Sequence, residues 1–443
     1  MFLNCHSYHS LRYGTIPLSE LVIQAAELQV QSLALTDINT ITGIYDFVKE
    51  CKKAGIKPLV GIEFRRNNEL LYIGLAQNKA GIGEMNRFLT HHNLEDIPLP
   101  QTAEKWHSTI VIYPLENAPE QLAQNEYLGI RPEQISMLYS SKWNSQIDKM
   151  LILQPVTFQT KKEFNLHKIL RAIDLNTLLS KLTPNDYCNN NESMSSESDL
   201  LQQYQNYPKI ISNTQAVIDK CDFQFEFDTP RNRRFYTENQ VSDMQLLRSL
   251  AYQGCEKKYG KNHKEAQERV EKELKVIDDL KFSGYFLITW DIVRYSNSMG
   301  FMHVGRGSGA NSIVSYCLGI TAICPLELNL YFERFLNLNR KSPPDFDIDW
   351  SWKERDTILE YIFNRYGKEH VAFCGTNVEF KYRSIFRELG KVFGLPKEEL
   401  DVLATTPLEN HDTNKVVKLV HEYGKMLEKY PNQRSMHSCG III

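Results

Sequence analysis

The sequence predicts a multidomain α/β protein. Strand and helix signals alternate over roughly the first sixty residues, a glycine turn lies between a strand and a helix at 301–318, and three aspartates alternate with apolar residues at 345–350. The chain has 443 residues, enough for roughly two to four domains. Its 42% hydrophobic and 24% charged residues are ordinary for a globular protein. The formal net charge of −3 does not advertise a nucleic-acid binder, although a local basic groove is compatible with it. The nine cysteines are scattered singly with no CxxC pair, which argues against a disulfide framework or zinc ribbon and fits a reducing cytoplasm. Met1 to Gly14 lacks the basic start and apolar run of a signal peptide, and no apolar run approaches the ~18 residues of a membrane span, so no membrane role is expected.

In chain order, Leu33–Thr36 reads as a strand, Ile41–Ala54 as a helix and Pro58–Phe64 as a strand. That rhythm predicts βα units around a mostly parallel sheet, weakening after about Glu84. Asn189–Ser198, NNNESMSSES, is polar and low in complexity and is expected to be a mobile loop. A second region begins near Thr229-Pro230. Lys261–Leu280 reads as a helix, with Val270, Leu274 and Ile277 at helical spacing. Phe301–Val304 reads as a strand, followed by Gly305-Arg306-Gly307-Ser308-Gly309 and a helix from about Asn311 to Leu318. The apolar run Gly440–Ile443 is expected to be a strand start in a longer protein.

In Pro344-Asp345-Phe346-Asp347-Ile348-Asp349-Trp350 strict alternation sets three aspartates on one strand face. Like charges there repel, and a divalent cation relieves them; oxygen ligands without histidine or cysteine favour Mg²⁺. Alone, the segment reads equally as a solvated strand face. The glycine turn, between strand and helix, can aim backbone N–H groups and a helix N-terminus at a phosphate. Alone, it is more often just a tight turn, and it matches neither the P-loop nor a full dinucleotide fingerprint.

Together the two motifs resemble the core of polymerase-β-like nucleotidyltransferases. Four stretches extend this to a resemblance with the palm of bacterial C-family DNA polymerases: FSGYFLITWDIV at Phe282–Val293, GRGSGANS at Gly305–Ser312, PLELNLYFERFLN at Pro325–Asn337 and PPDFDIDW at Pro343–Trp350. KYRSIFRELGKVFG at Lys381–Gly394 resembles the start of the thumb, and RSMHSCGIII at Arg434–Ile443 the return to the palm. The resemblance implies that Asp345 and Asp347 are catalytic metal-binding aspartates, with Asp349 auxiliary. It implies that Gly307 and Ser308 contact nucleotide phosphates, and that Arg334 and Arg340, the latter followed by Lys341, are phosphate-facing cations. The cofactor implied is a pair of Mg²⁺ ions, their site completed by a third aspartate beyond this chain, as are a nucleotide-binding lysine and the fingers. Arg383, Arg387 and Lys391 recur at i, i+4 and i+8, a stripe able to follow duplex phosphates or simply to face solvent.

HSYHSLRYG at His6–Gly14, ALTDINTITG at Ala34–Gly43 and GIKPLVGIEF at Gly55–Phe64 resemble the polymerase-and-histidinol-phosphatase (PHP) domain that opens such polymerases. His6, Asp37 and Glu63 match ligand positions of its metal cluster. Asn4, Tyr13 and Ile38 depart from the pattern, as does QPVTF at Gln154–Phe158. The depleted set implies a vestigial, structural site. The expected layout is a PHP-like (βα) barrel-type domain at 1–225, a polymerase-β-like palm at 226–376, a mainly helical thumb at 377–433 and a return to the palm at 434–443. The implied activity is template-directed DNA synthesis on primer-template DNA from deoxynucleoside triphosphates. Sliding-clamp and other replisome contacts would lie in the part not present, and the 443 residues alone are not expected to polymerise. The alternatives are a PHP-type metal-dependent phosphoesterase or 3′–5′ exonuclease, and a non-catalytic DNA-binding fragment.

Overall fold

A computed structural model of the chain describes residues 1–140, 143–227, 229, 231–340, 345–403 and 415–443. Pro230, Lys341, Pro343 and Pro344, named above, lie outside them. The chain divides into two compact units, Met1–Glu226 with Asn377–Ser435, and Phe227–Thr376 with Met436–Ile443.

The first unit opens with β1 (Asn4–Cys5), α1 (Leu18–Glu27), β2 (Ser32–Leu35), α2 (Ile44–Ala54), β3 (Lys57–Arg66), β4 (Glu69–Ala76) and α3 (Lys79–Leu94). It continues through β5 (Thr109–Pro114), β6 (Glu126–Ile130), β7 (Met150–Ile152), β8 (Pro155–Val156), α4 (Lys161–Asp174), α5 (Glu197–Gln203) and α6 (Pro208–Lys220). Local chemistry sets several ends. Gly55 closes α2 at φ +72, the Asn78 side chain caps α3, and Thr160 and Glu163 form a reciprocal capping box on α4.

Strands β2 to β7 form a curled six-stranded half-barrel in sequential order. The sheet is mostly parallel, as expected, with five of its six strands running one way and β4 reversed. The β2–β3, β5–β6 and β6–β7 pairs are parallel, whereas β4 runs antiparallel to β3 and β5. The reason is local: Asn67 at φ +55 turns β3 directly into β4 as a hairpin, leaving no room for a crossover helix. Leu33, Leu35, Ile62, Phe64, Ile73 and Ile112 are fully buried in its core. Beside it, β1 pairs parallel with β8.

The polar run 189–198 departs from expectation, because it is tied down. Glu192 and Met194 are buried, Glu192 O accepts from Thr157 N at 2.8 Å, and Ser196 caps α5.

The second unit contains α7 (Gln240–Tyr259), α8 (Lys264–Asp279), α9 (Ser283–Ser298), β9 (His303–Arg306), α10 (Ile313–Cys317), β10 (Asp347–Trp350) and α11 (Arg355–Tyr366). Leu247, Val270, Leu274, Ile277, Phe286 and Ile313 form its core, so the apolar stripe expected at Val270, Leu274 and Ile277 does face inward. Strand β11 (Ala372–Glu379) follows, then α12 (Tyr382–Val392), α13 (Lys397–Leu403), α14 (Lys415–Leu427) and β12 (Pro431–Ile442), which pairs with β11. Within the first unit, Ile385, Phe386 and Leu389 of α12 and Val420 of α14 share a core with Leu166, Ile169 and Leu170 of α4.

Candidate functional site

The glycine turn and the aspartate strand are hydrogen-bonded neighbours. Strands β9 and β10 pair antiparallel, setting Arg306 opposite Asp347 and Val304 opposite Asp349. The chain leaves β9 at Gly307, whose φ of +69 favours glycine. Space demands it as well, since a Cβ there would lie 2.6 Å from Asp347 Oδ2. A Cβ on Gly309 would strike the Phe346 ring at 2.9 Å. Phe346 in turn stacks on Tyr285 at 5.1 Å and meets Phe286 and Phe335 at 5.3 and 5.2 Å. These aromatic contacts fix the strand from its apolar side and leave the carboxylates on the other.

Asp345 and Asp349 are exposed and Asp347 is partly buried. Arg306, the last residue of β9, serves as counterion to Asp347 and Asp349: its Nε donates to Asp349 Oδ2 at 2.7 Å and its Nη1 lies 3.7 Å from Asp347 Oδ2. The hydrogen bond to Asp349 and the two negative charges raise the Arg306 pKa. Burial raises that of Tyr285, and the nearby charges of Asp345 and Asp347 push the same way against Arg340. Arg340 Nη1 donates to Phe335 O at 3.1 Å, and Arg334 is exposed on the turn Phe332–Arg334. Ser308 is partly buried, its carbonyl accepting from Asn311 Nδ2 at 2.9 Å. The donor set consists of carboxylate oxygens, which suits a hard cation such as Mg²⁺, and Gly307 presents no side chain to cover Asp347 Oδ2.

One expectation is corrected. The helix after the turn has five residues, and its N-terminus is already occupied. The Ser312 hydroxyl accepts from Ser315 N at 3.1 Å, and Glu273 Oε2 accepts from Ser312 Oγ at 2.8 Å and Val314 N at 3.2 Å. A helix start filled by a carboxylate does not attract a phosphate, so the donors left for one belong to the turn. Sequence reasoning passed over Tyr285, Arg306 and Glu273. The first two sit inside quoted motifs, whereas Glu273 carries no local signal.

The PHP-like residues meet at the ends of β1, β2 and β8 and in β3. Asp37 is fully engaged: Oδ1 accepts from Ser7 N and Ser10 Oγ, and Oδ2 from Ser7 Oγ, each at 2.7 Å. Glu63 Oε2 accepts from Asn4 Nδ2 at 2.7 Å and meets His6 Nε2 at 2.9 Å, while Oε1 pairs with Arg65 Nε. Burial alone would raise the Glu63 pKa, but Arg65, His6 and Asn4 outweigh it and hold the carboxyl well below its usual range. His6 Nδ1 bonds Thr157 Oγ1 at 3.0 Å, which donates to Glu192 Oε2 at 2.8 Å. The Arg65 guanidinium lies 4.3 Å above the centre of the Tyr13 ring. A protein cation and hydrogen bonds thus already satisfy Asp37 and Glu63.

Arg383, Arg387 and Lys391 are exposed along α12, opposite buried Ile385, Phe386 and Leu389, and Lys391 Nζ lies 3.4 Å from Glu388 Oε1. They belong to the first unit, whereas Gly307, Ser308, Arg334, Arg340, Asp345 and Asp347 belong to the second.

Residues 3–128 match the family described as the PHP domain, and residues 245–443 the bacterial DNA polymerase III alpha NTPase domain. An error-prone DNA polymerase of Symbiobacterium thermophilum is 27% identical over 91% of this chain and 42% of its own length. DNA polymerase III subunit alpha of Ureaplasma parvum is 28% identical over 100% of this chain and 46% of its own, and that of Streptococcus pyogenes serotype M1 28% over 100% and 44%. The chain spans under half the length of these relatives. Among the described residues no helix is long and apolar enough to cross a membrane.

Proposed function

We propose that this chain carries the PHP and polymerase domains of a bacterial C-family DNA polymerase, and that its parent protein synthesises DNA on a primer-template from deoxynucleoside triphosphates. The observation that carries the reading is the β9–β10 pairing, which sets the bare backbone of Gly307 against Asp347. Asp345 and Asp347 would hold Mg²⁺, with a further carboxylate of the parent completing the set. When bound, such ions lower the pKa of the primer hydroxyl and stabilise the leaving phosphate oxygen. This chain's own residues bind and orient. Gly307 and Ser308 offer backbone donors to the triphosphate, and Arg334 and Arg340 offset its charge. Asp349 acts through Arg306, keeping that guanidinium in place beside Asp347.

We read residues 1–225 as a structural PHP domain whose His6, Asp37 and Glu63 serve folding, because their acceptors are already satisfied. We read 226–376 with 434–443 as palm and 377–433 as thumb, its Arg383, Arg387 and Lys391 stripe following duplex phosphates. Clamp and replisome contacts belong to the rest of the parent, and a cytoplasmic location follows from this role.

The test is primer extension by the full-length parent with Mg²⁺. Asp347→Asn is expected to lower incorporation by about a thousandfold or more with an unchanged melting temperature, since it removes a metal ligand while relieving repulsion on the strand. Near-normal extension by the variant would sink the assignment.

A further inference from the structure

We propose that the Arg269–Glu273 pair of α8, outside every motif that marks the active site, positions the nucleotide-binding turn, and that its loss weakens nucleotide binding selectively. The inference rests on the reading of Gly307 and Ser308 as the phosphate turn.

Glu273 is fully buried and has a partner for each oxygen. Oε1 accepts from Arg269 Nε at 2.8 Å, and Oε2 accepts from Ser312 Oγ and Val314 N. Burial raises its pKa, against the hydrogen bonds of Arg269 and Ser312. Ser312 immediately follows the turn Gly307–Asn311, so Glu273 fixes the turn's downstream end, while its upstream end is fixed by β9. Arg269 also reaches the other phosphate-facing segment, since its Nη2 donates to Leu330 O at 3.1 Å. Lys272 Nζ, on the same helix, pairs with Glu333 at 2.8 Å, next to Arg334. One helix thus holds both segments that would grip the triphosphate, the Gly-Ser turn and the run into Phe332–Arg334.

Neither Glu273 nor Arg269 touches Asp345 or Asp347 in this network, so the effect should fall on nucleotide affinity and spare the chemical step. A turn released at one end samples more conformations, and binding must then restore the order.

The measurement is steady-state extension by the full-length parent at saturating primer-template, with nucleotide varied. Ser312→Ala, which removes only a hydroxyl, and Glu273→Gln, which keeps the size, should each raise the nucleotide KM about tenfold. In both, kcat should stay within about threefold and primer-template affinity should not move. Arg269→Lys should fall between these variants and wild type, because it keeps the charge but lacks the guanidinium fork that also reaches Leu330. An unmoved KM in Ser312→Ala, beside an active wild type, overturns the inference alone. So does a loss of kcat and DNA affinity in step with KM and folded fraction, which would be the mark of a merely structural role. A wild-type parent without extension sinks the functional reading itself, and this inference with it.

Discussion

The two acidic clusters answer the same electrostatic problem in opposite ways. In the first unit Glu63 is sealed from water, and its charge is met by Arg65, His6 and Asn4. In the second, Asp345, Asp347 and Asp349 line a partly open strand whose counterion, Arg306, is itself more than half exposed, at 57%. The closed cluster contains its own cation, Arg65. The open one is held only loosely by Arg306, and its Asp347 oxygen faces a glycine. A group of carboxylates therefore does not by itself indicate a metal site; what matters is whether the fold has already neutralised it.

The largest effect should come from opening the closed cluster. Arg65→Ala leaves the Glu63 charge buried against His6 and Asn4 alone, and breaking a buried pair in this way costs about 3–5 kcal/mol. The check is urea unfolding of this chain. Adding Glu63→Gln should restore much of the loss, since the unpaired charge is then gone. A single variant within about 1 kcal/mol of wild type would mean that Arg65 is not the neutralising cation and that the comparison fails.

Next comes the pH dependence of the same region. His167 is buried beside Tyr13, and burial drives its pKa down from 6.5 to about 3. The neutral ring fits its partners: Nδ1 donates to Tyr13 O at 2.6 Å and Nε2 accepts from Cys188 N at 2.9 Å. A second proton on Nε2 would face the Cys188 N–H. The folded pKa is depressed, so below pH 6.5 the unfolded chain takes a proton that the folded one refuses. Stability is then full above pH 6.5 and falls toward pH 3, with a slope approaching about 1.4 kcal/mol per pH unit. His167→Phe should be less stable at neutral pH and lose that part of the slope between pH 6.5 and 5. Parallel curves for the two proteins would refute the buried neutral histidine.

What was legible in the sequence follows the range of the physical signal. Alternation around Asp347 and the glycines of the turn are local, and both motifs stand where they were expected. Their pairing has no local signature; the resemblance put both motifs in one core, and the register is seen only in the fold. The mostly parallel sheet was foreseen, but the reversal of β4 was missed because periodicity reports strands and not their direction. The mobile loop at 189–198 was misjudged because composition cannot show that Glu192 meets Thr157 and lies 3.5 Å from Arg131, both far away in sequence. Arg65 was unreadable for the same reason, as its cluster draws on Asn4, His6 and Tyr13. Glu273 looked like one more charge on a charged helix; only the tertiary fold shows it buried under Ser312.

The smallest effect should be at the open cluster, and it gives the sharpest form of the contrast. Arg306→Gln removes two ion pairs whose three side chains, Arg306, Asp347 and Asp349, are 57%, 42% and 56% exposed. Water screens such charges, so the stability change should be within about 1 kcal/mol, a fraction of that for Arg65→Ala. Affinity for a divalent cation should move the other way. The guanidinium lies against both Asp347 and Asp349, and a metal must share the strand face with it or displace it. Without it, Mn²⁺ titration of this chain, followed by the paramagnetic signal of the free ion, should give tighter binding that is lost in Asp347→Asn. A large loss of stability with unchanged Mn²⁺ affinity would show that Arg306 seals its carboxylates as Arg65 does, and that the two clusters are alike.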